Sequence, residues 1–153
     1  MDYDIERDRI HDHRLLQESL NLIAPVADDV IAAFYDRLFQ DYPELRPMFP
    51  AVMDLQREQL LTAIIALVTY YDRPDELTPT LVAMGRRHAG YGAEPAHFDA
   101  VGATLLATLG SFAGSAWTSE VETAWIRAYT FAATTMMNAG HAVEEDDIDP
   151  IAA

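Results

Sequence analysis

Apolar residues recur at three- and four-residue intervals along most of the chain, the period of a helix buried on one face. Leu16, Leu20 and Ile23 form the first such stripe, and Pro25 ends that helix or starts the next. Val30, Phe34 and Leu38 fall four apart between Val26 and Gln40. Pro43 opens a short turn to Phe49, and Pro50 closes it. The stretch from Asp54 to Tyr71 is apolar over much of its surface, and Asp72-Arg73-Pro74-Asp75 breaks it. Leu77, Leu81 and Met84 mark the next helix, expected to end around Gly90 and Gly92. Pro95 opens a long helix carrying Phe98, Val101, Leu105, Leu109 and Phe112. Gly114 to Ser119 reads as a corner, with Thr118 or Ser119 as the N-cap ahead of Glu120 and Glu122. The last helix carries Val121, Trp125, Tyr129, Ala132 and Met136, with its end expected at Gly140. No hairpin dipeptide and no sustained period-two run accompany these stripes. The pattern predicts an all-α domain of about six to seven helices, the last two long and antiparallel.

The two ends lack a stripe. Residues 1–12 are charge-rich and are expected to form a flexible N-terminal extension ahead of a domain over 13–140. Residues 141–153, with the run Glu144-Glu145-Asp146-Asp147-Ile148-Asp149-Pro150, read as an acidic, disordered tail.

Composition narrows the function classes. A length of 153 residues with 50% apolar content suffices for one domain with a full core. The 25 acidic against 10 basic residues give a formal charge of −15, a field that repels phosphate and so disfavours nucleic acid and anionic membranes as partners. Every basic residue is Arg, so a P-loop and Schiff-base chemistry are excluded. Without Cys there is no disulfide, thiolate nucleophile or thiolate metal ligand. The first eight residues lack the basic start and apolar run of a signal peptide. The uncharged stretch Ala100–Ser119 carries three Gly, three Thr and three Ser, too polar for a membrane span. A soluble cytoplasmic protein is expected.

An all-α domain holds a cofactor between its helices, so polar residues interrupting apolar faces are the candidates for chemistry. His88 falls one turn past Met84, on the apolar side of its helix, after Arg86-Arg87 and before Gly90. A neutral imidazole there could ligate iron through Nε2. Tyr35 follows Phe34 and could donate a hydrogen bond through its phenol. Gln56 lies one turn before Leu60 and carries a second donor. Taken singly, each is more often an ordinary packing or surface residue.

Their order and company point further. Phe34-Tyr35-Asp36-Arg37-Leu38-Phe39, Pro43-Glu44-Leu45-Arg46-Pro47-Met48-Phe49 and Gln56-Arg57-Glu58 come first. Gly85-Arg86-Arg87-His88-Ala89-Gly90-Tyr91-Gly92, then Pro95, His97-Phe98, Val101-Gly102, Leu105-Leu106, Trp125 and Ala128-Tyr129, continue in the same sequence. Over about residues 13–140 the chain resembles the bacterial globins, above all the globin domains of flavohaemoglobins and their single-domain relatives.

The resemblance implies a globin fold around haem b (iron protoporphyrin IX). His88 matches the proximal iron ligand and Phe49 the aromatic that stacks on the porphyrin. Tyr35 and Gln56 match the distal polar pair, and Leu60 the apolar residue that limits ligand access. Met84, Phe98 and Val101 belong to the expected haem-binding set, and Arg86 or Arg87 is a candidate partner for a propionate. The implied ligands are dioxygen, nitric oxide and carbon monoxide, bound by a monomer or homodimer.

Two departures from the family pattern bear on activity. Phe98 stands where flavohaemoglobins have a tyrosine, and Gly140 where they have a glutamate, so the polarisation of the proximal histidine by that pair is not implied. At 153 residues there is no room for flavin and nicotinamide domains, so nitric oxide dioxygenase turnover would need a separate reductase. The competing class is a globin-fold gas or redox sensor, or an interaction module, acting through a partner protein. His13 and His97 are expected at the surface, and His11 and His141 in the loose ends.

Overall fold

The computed structural model describes residues 2–147, with side chains over 6–141. It contains six α-helices: α1 Asp2–Ile23, α2 Ala27–Asp41, α3 Asp54–Tyr70, α4 Pro74–Gly90, α5 Pro95–Ala113 and α6 Ser119–Asp147. Three 3₁₀ turns, Ala24–Val26, Pro43–Met48 and Gly114–Ala116, fill the corners. No strand occurs among the described residues.

Most of the predicted stripe residues enter the core or pack against it, but Phe112, near the end of α5, is exposed. Leu16, Phe34, Leu38, Val68, Leu109 and Trp125 are the largest fully buried side chains. Proline opens α4 and α5, where its missing N–H has no helical acceptor to lose. Thr118 caps α6, its Oγ1 accepting the Val121 N–H at 3.2 Å. Burying Trp125 hides its indole N–H, which donates to Ser19 Oγ at 2.9 Å.

Two expectations about the ends change. Helix α1 begins at Asp2, through the residues read as a flexible extension. Polar and aromatic contacts hold its N-terminal half in place of an apolar stripe. The Arg9 guanidinium lies 4.5 Å from the Tyr71 ring centroid and 4.8 Å from that of Phe131, and donates to the Tyr71 carbonyl at 2.8 Å. Asp12, 2% exposed, accepts both its hydrogen bonds from Arg127 Nη1 at 3.2 Å. None of these contacts has a helical period, so hydropathy does not signal them.

Helix α6 does not end at Gly140 but continues to Asp147, which removes residues 141–147 from the expected tail. Residues 148–153 of that tail lie outside the described residues. Gly140 is there for proximity: a Cβ on it would sit 3.0 Å from Ala89 Cβ and 3.3 Å from the Gly85 carbonyl oxygen. A Cβ on Gly85 would overlap the Met136 backbone. The two glycines let α6 lie closely along α4, its most extensive packing partner.

Candidate functional site

Helix α2 supplies the first part of the site. Tyr35, 3% exposed, projects among aromatic rings: Phe34 edge-on at 4.9 Å, Phe39 stacked at 5.8 Å and Phe49 edge-on at 5.7 Å between centroids. Phe39 and Phe49 meet at 5.2 Å. Gln56, in the first turn of α3, donates from Nε2 to the Tyr35 hydroxyl at 3.3 Å. Residues 21 positions apart thus meet as a polar pair inside an aromatic layer. Burial raises the Tyr35 pKa, only partly opposed by the Gln56 hydrogen bond and the Arg57 charge. Tyr35 is therefore a neutral phenol at physiological pH. With Gln56 donating to its oxygen, its own proton remains to be donated elsewhere.

Helix α4 supplies the second part. His88 is half-buried near the C-terminal end of α4. Its Nδ1 lies 2.7 Å from the Met84 carbonyl oxygen, one turn earlier. A carbonyl can only accept, so Nδ1 carries the proton, and it is Nε2 that is left to act as a ligand in the neutral tautomer. Phe98, in the first turn of α5, flanks the imidazole at 6.0 Å between centroids, and Tyr91 lies at 6.4 Å. Phe98 is held in turn by α6, because the Tyr129 hydroxyl donates to the Phe98 carbonyl at 2.6 Å. Burial raises the Tyr129 pKa well above that of an ordinary phenol, with a lesser push from Asp99, so this donor is retained.

The remaining expected residues occupy compatible places. Phe49, Leu60, Met84, Phe98 and Val101 are half-buried and packed against the core, so each keeps part of its apolar surface uncovered by protein. Arg86 and Arg87 are exposed. No group of three or more His, Asp or Glu side chains placed to hold a metal ion occurs among the described residues. A groove of about 370 Å³ between α5 and α6 shares Phe98 with the site but includes neither Tyr35, Gln56 nor His88. The two outlying histidines have local roles. His97 Nδ1 accepts the Glu94 N–H at 2.9 Å, capping α5, and His13 Nε2 lies 3.7 Å from Asp72 Oδ1.

Phe39 and Arg46 stand in the quoted motifs but have no role assigned from the sequence. Phe39 stands four residues after Tyr35, the helical spacing that signals a shared face. Arg46 carries no such signal, because its partners are backbone carbonyls of a loop.

Comparison with known proteins shows the family and the fold. The family model described as Globin matches residues 32–136. A flavohemoprotein of Rhodopirellula baltica is 32% identical over 87% of this chain and 33% of its own length. That of Bacillus subtilis is 30% identical over 75% of this chain and 30% of its own. The chain therefore spans about a third of these relatives. An uncharacterised globin-like protein of Aquifex aeolicus is 30% identical over 81% of this chain and 88% of its own length. A bacterial globin from Campylobacter jejuni shares the fold at a TM-score of 0.78 and 20% identity, covering 88% of this chain and 98% of its own. An engineered carbene transferase from Rhodothermus marinus superposes at the same TM-score of 0.78 with 25% identity, covering 88% of this chain and 94% of its own. With a family model matching most of its length and a relative similar along nearly its whole sequence, this chain belongs to the globin family.

Proposed function

We propose that this chain binds haem b and reversibly takes dioxygen and other diatomic gases. The observation that carries the reading is the His88 imidazole, held through Nδ1 on the Met84 carbonyl with Nε2 left as a ligand. The residues fit the group: Phe49, Leu60, Met84, Phe98 and Val101 offer apolar contact, and the exposed guanidinium of Arg87, or of Arg86, suits a propionate.

When bound, haem supplies an iron that takes a diatomic ligand and shifts electron density onto it. Tyr35, kept protonated by burial, would be the hydrogen-bond donor to a bound diatomic gas, with Gln56 orienting the phenol from behind. Such a bond to a negatively charged acceptor contributes about 1.5–3 kcal/mol. Carbon monoxide gains little charge and benefits less, so the pair favours dioxygen with slow release. Leu60 limits access to that side. On the His88 side the acceptor is a neutral carbonyl, which polarises an imidazole less than a carboxylate would. Reversible binding is favoured over peroxidase-like chemistry.

Oxygen binding or transport, and nitric oxide removal, are two uses of this chemistry. Converting nitric oxide and dioxygen to nitrate consumes one electron, which on this reading a separate reductase delivers, in the cytoplasm. The likeness to flavohemoproteins, and to a Rhodothermus marinus protein described as a candidate nitric oxide dioxygenase, supports including it.

The test is an absorption spectrum of the purified chain, oxidised, reduced in air and reduced under carbon monoxide. The expected result is a strong Soret band that moves with each ligand and is lost or displaced in His88→Ala. No band after addition of hemin would sink the reading and leave a haem-free interaction module in its place.

A further inference from the structure

We propose that Arg46 is a positioning residue for the Tyr35–Gln56 pair, clamping the loop 49–53 on which the placement of Gln56 and Phe49 depends. The kinetic consequence rests on the haem reading above; the clamp itself does not.

The loop between the 3₁₀ turn Pro43–Met48 and α3 has little backbone bonding of its own. Phe49 N–H donates to the Arg46 carbonyl at 3.1 Å, and Arg57 N–H to the Met53 carbonyl at 2.9 Å, one bond at each end. Pro50 has no N–H to give. Three successive carbonyls of the loop turn instead to one guanidinium. Arg46 Nη1 donates to Phe49 O at 3.3 Å and Pro50 O at 3.0 Å, and Nη2 to Ala51 O at 3.2 Å. The same guanidinium lies 5.1 Å from the centroid of Phe39, the ring that stacks on Tyr35 and meets the edge of Phe49. Arg46 therefore joins the loop to the aromatic layer holding the site's hydroxyl.

Helix α3 depends on this anchor. Its N-cap residue, Met53, provides no side-chain hydrogen bond, and Gln56 is only the third helical residue. A first turn without a cap frays. At 3.3 Å the Gln56–Tyr35 bond is already at the long end of hydrogen bonding, so a small displacement of that turn breaks it. The three-carbonyl grip needs the planar fork of Arg, which a Lys ammonium does not reproduce.

Arg46→Ala and Arg46→Lys in the full chain test this. Oxygen dissociation should rise about fivefold or more in Arg46→Ala, the scale of one lost hydrogen bond, and remain raised in Arg46→Lys. The carbonyl-stretch band of the carbon monoxide complex should shift toward its position in Gln56→Leu. In a Gln56→Leu background, Arg46→Ala should add less than about twofold, because both act through one contact. Wild-type rates in Arg46→Ala, or an undiminished effect in the double variant, overturns the proposal. Amide exchange in the haem-free chain gives an independent reading. Arg46→Ala should speed exchange at Arg57, whose N–H donates to the Met53 carbonyl, and at Glu58 and Gln59 in the next turn while leaving α6 unchanged, and unaltered exchange there overturns the clamp. If the wild-type chain takes up no haem, the haem reading fails and the exchange result alone decides the role of Arg46.

Discussion

At the scale of single residues, what a donor can do depends on its proton. Tyr35 is 3% exposed, and burial outweighs the Gln56 bond and the Arg57 charge in setting its pKa upward. The phenol stays protonated beyond the ordinary value of about 10. Tyr35→Phe should raise the oxygen dissociation rate about tenfold, the kinetic equivalent of about 1.4 kcal/mol, with a smaller effect on carbon monoxide. Stopped-flow displacement measures both. The wild-type rate should hold level from about pH 6 to 9, because the Tyr35 proton is not lost in that window. A rate that climbs steeply below pH 9 would contradict the raised pKa. That Tyr35 and Gln56 are polar residues beside apolar stripes was legible in the sequence, but the hydrogen bond between them was not. Each sits at a helix position that suits many residues, and only the crossing of α2 with α3 brings the amide to the phenol.

At the scale of elements, the spacing of α4 and α6 sets where His88 stands. Gly85 lies three residues before His88, and a Cβ there would overlap the Met136 backbone, which cannot yield as a flexible side chain does. Gly85→Ala should destabilise the chain by about 1–3 kcal/mol through overpacking, despite the better helix propensity of Ala. Chemical denaturation measures the loss, and an unchanged or raised stability would mean that the helices separate freely. The boundaries that sequence places well are those made by proline: α5 at Pro95 and the 3₁₀ turn at Pro43, whereas Pro74, read as part of a break, is the first residue of α4. Glycine proved ambiguous. Gly90 ends α4, whereas Gly140 lies within α6. The same residue type serves chain reversal and close approach, and the choice between them is made by a neighbouring helix.

At the scale of the whole molecule, the N-terminal half of α1 is tied across the fold. Asp12 on α1 and Arg127 on α6 are 115 positions apart, with the carboxylate buried and the guanidinium half-exposed. Removing Arg127 leaves that carboxylate without its cation. Arg127→Ala should cost about 1–3 kcal/mol, the penalty for an unsatisfied buried acceptor, as read by thermal unfolding. Asp12→Asn should cost less, because it removes the buried charge along with its partner's role. Equal losses in the two variants would show that the pair is screened by solvent and contributes little.

Local sequence sets most of the helices, the corners and the apolar faces, and it supplies the polar side chains that interrupt those faces. These depend on local periodicity, on proline and glycine, and on which side chains carry donors. The tertiary structure alone decided where α1 begins, how far α6 runs, which amide meets the Tyr35 hydroxyl and what Arg46 holds. Each of these is a contact between residues distant in the chain or between a side chain and a loop carbonyl. Such contacts leave no period in the sequence, because their geometry exists only once the helices have packed.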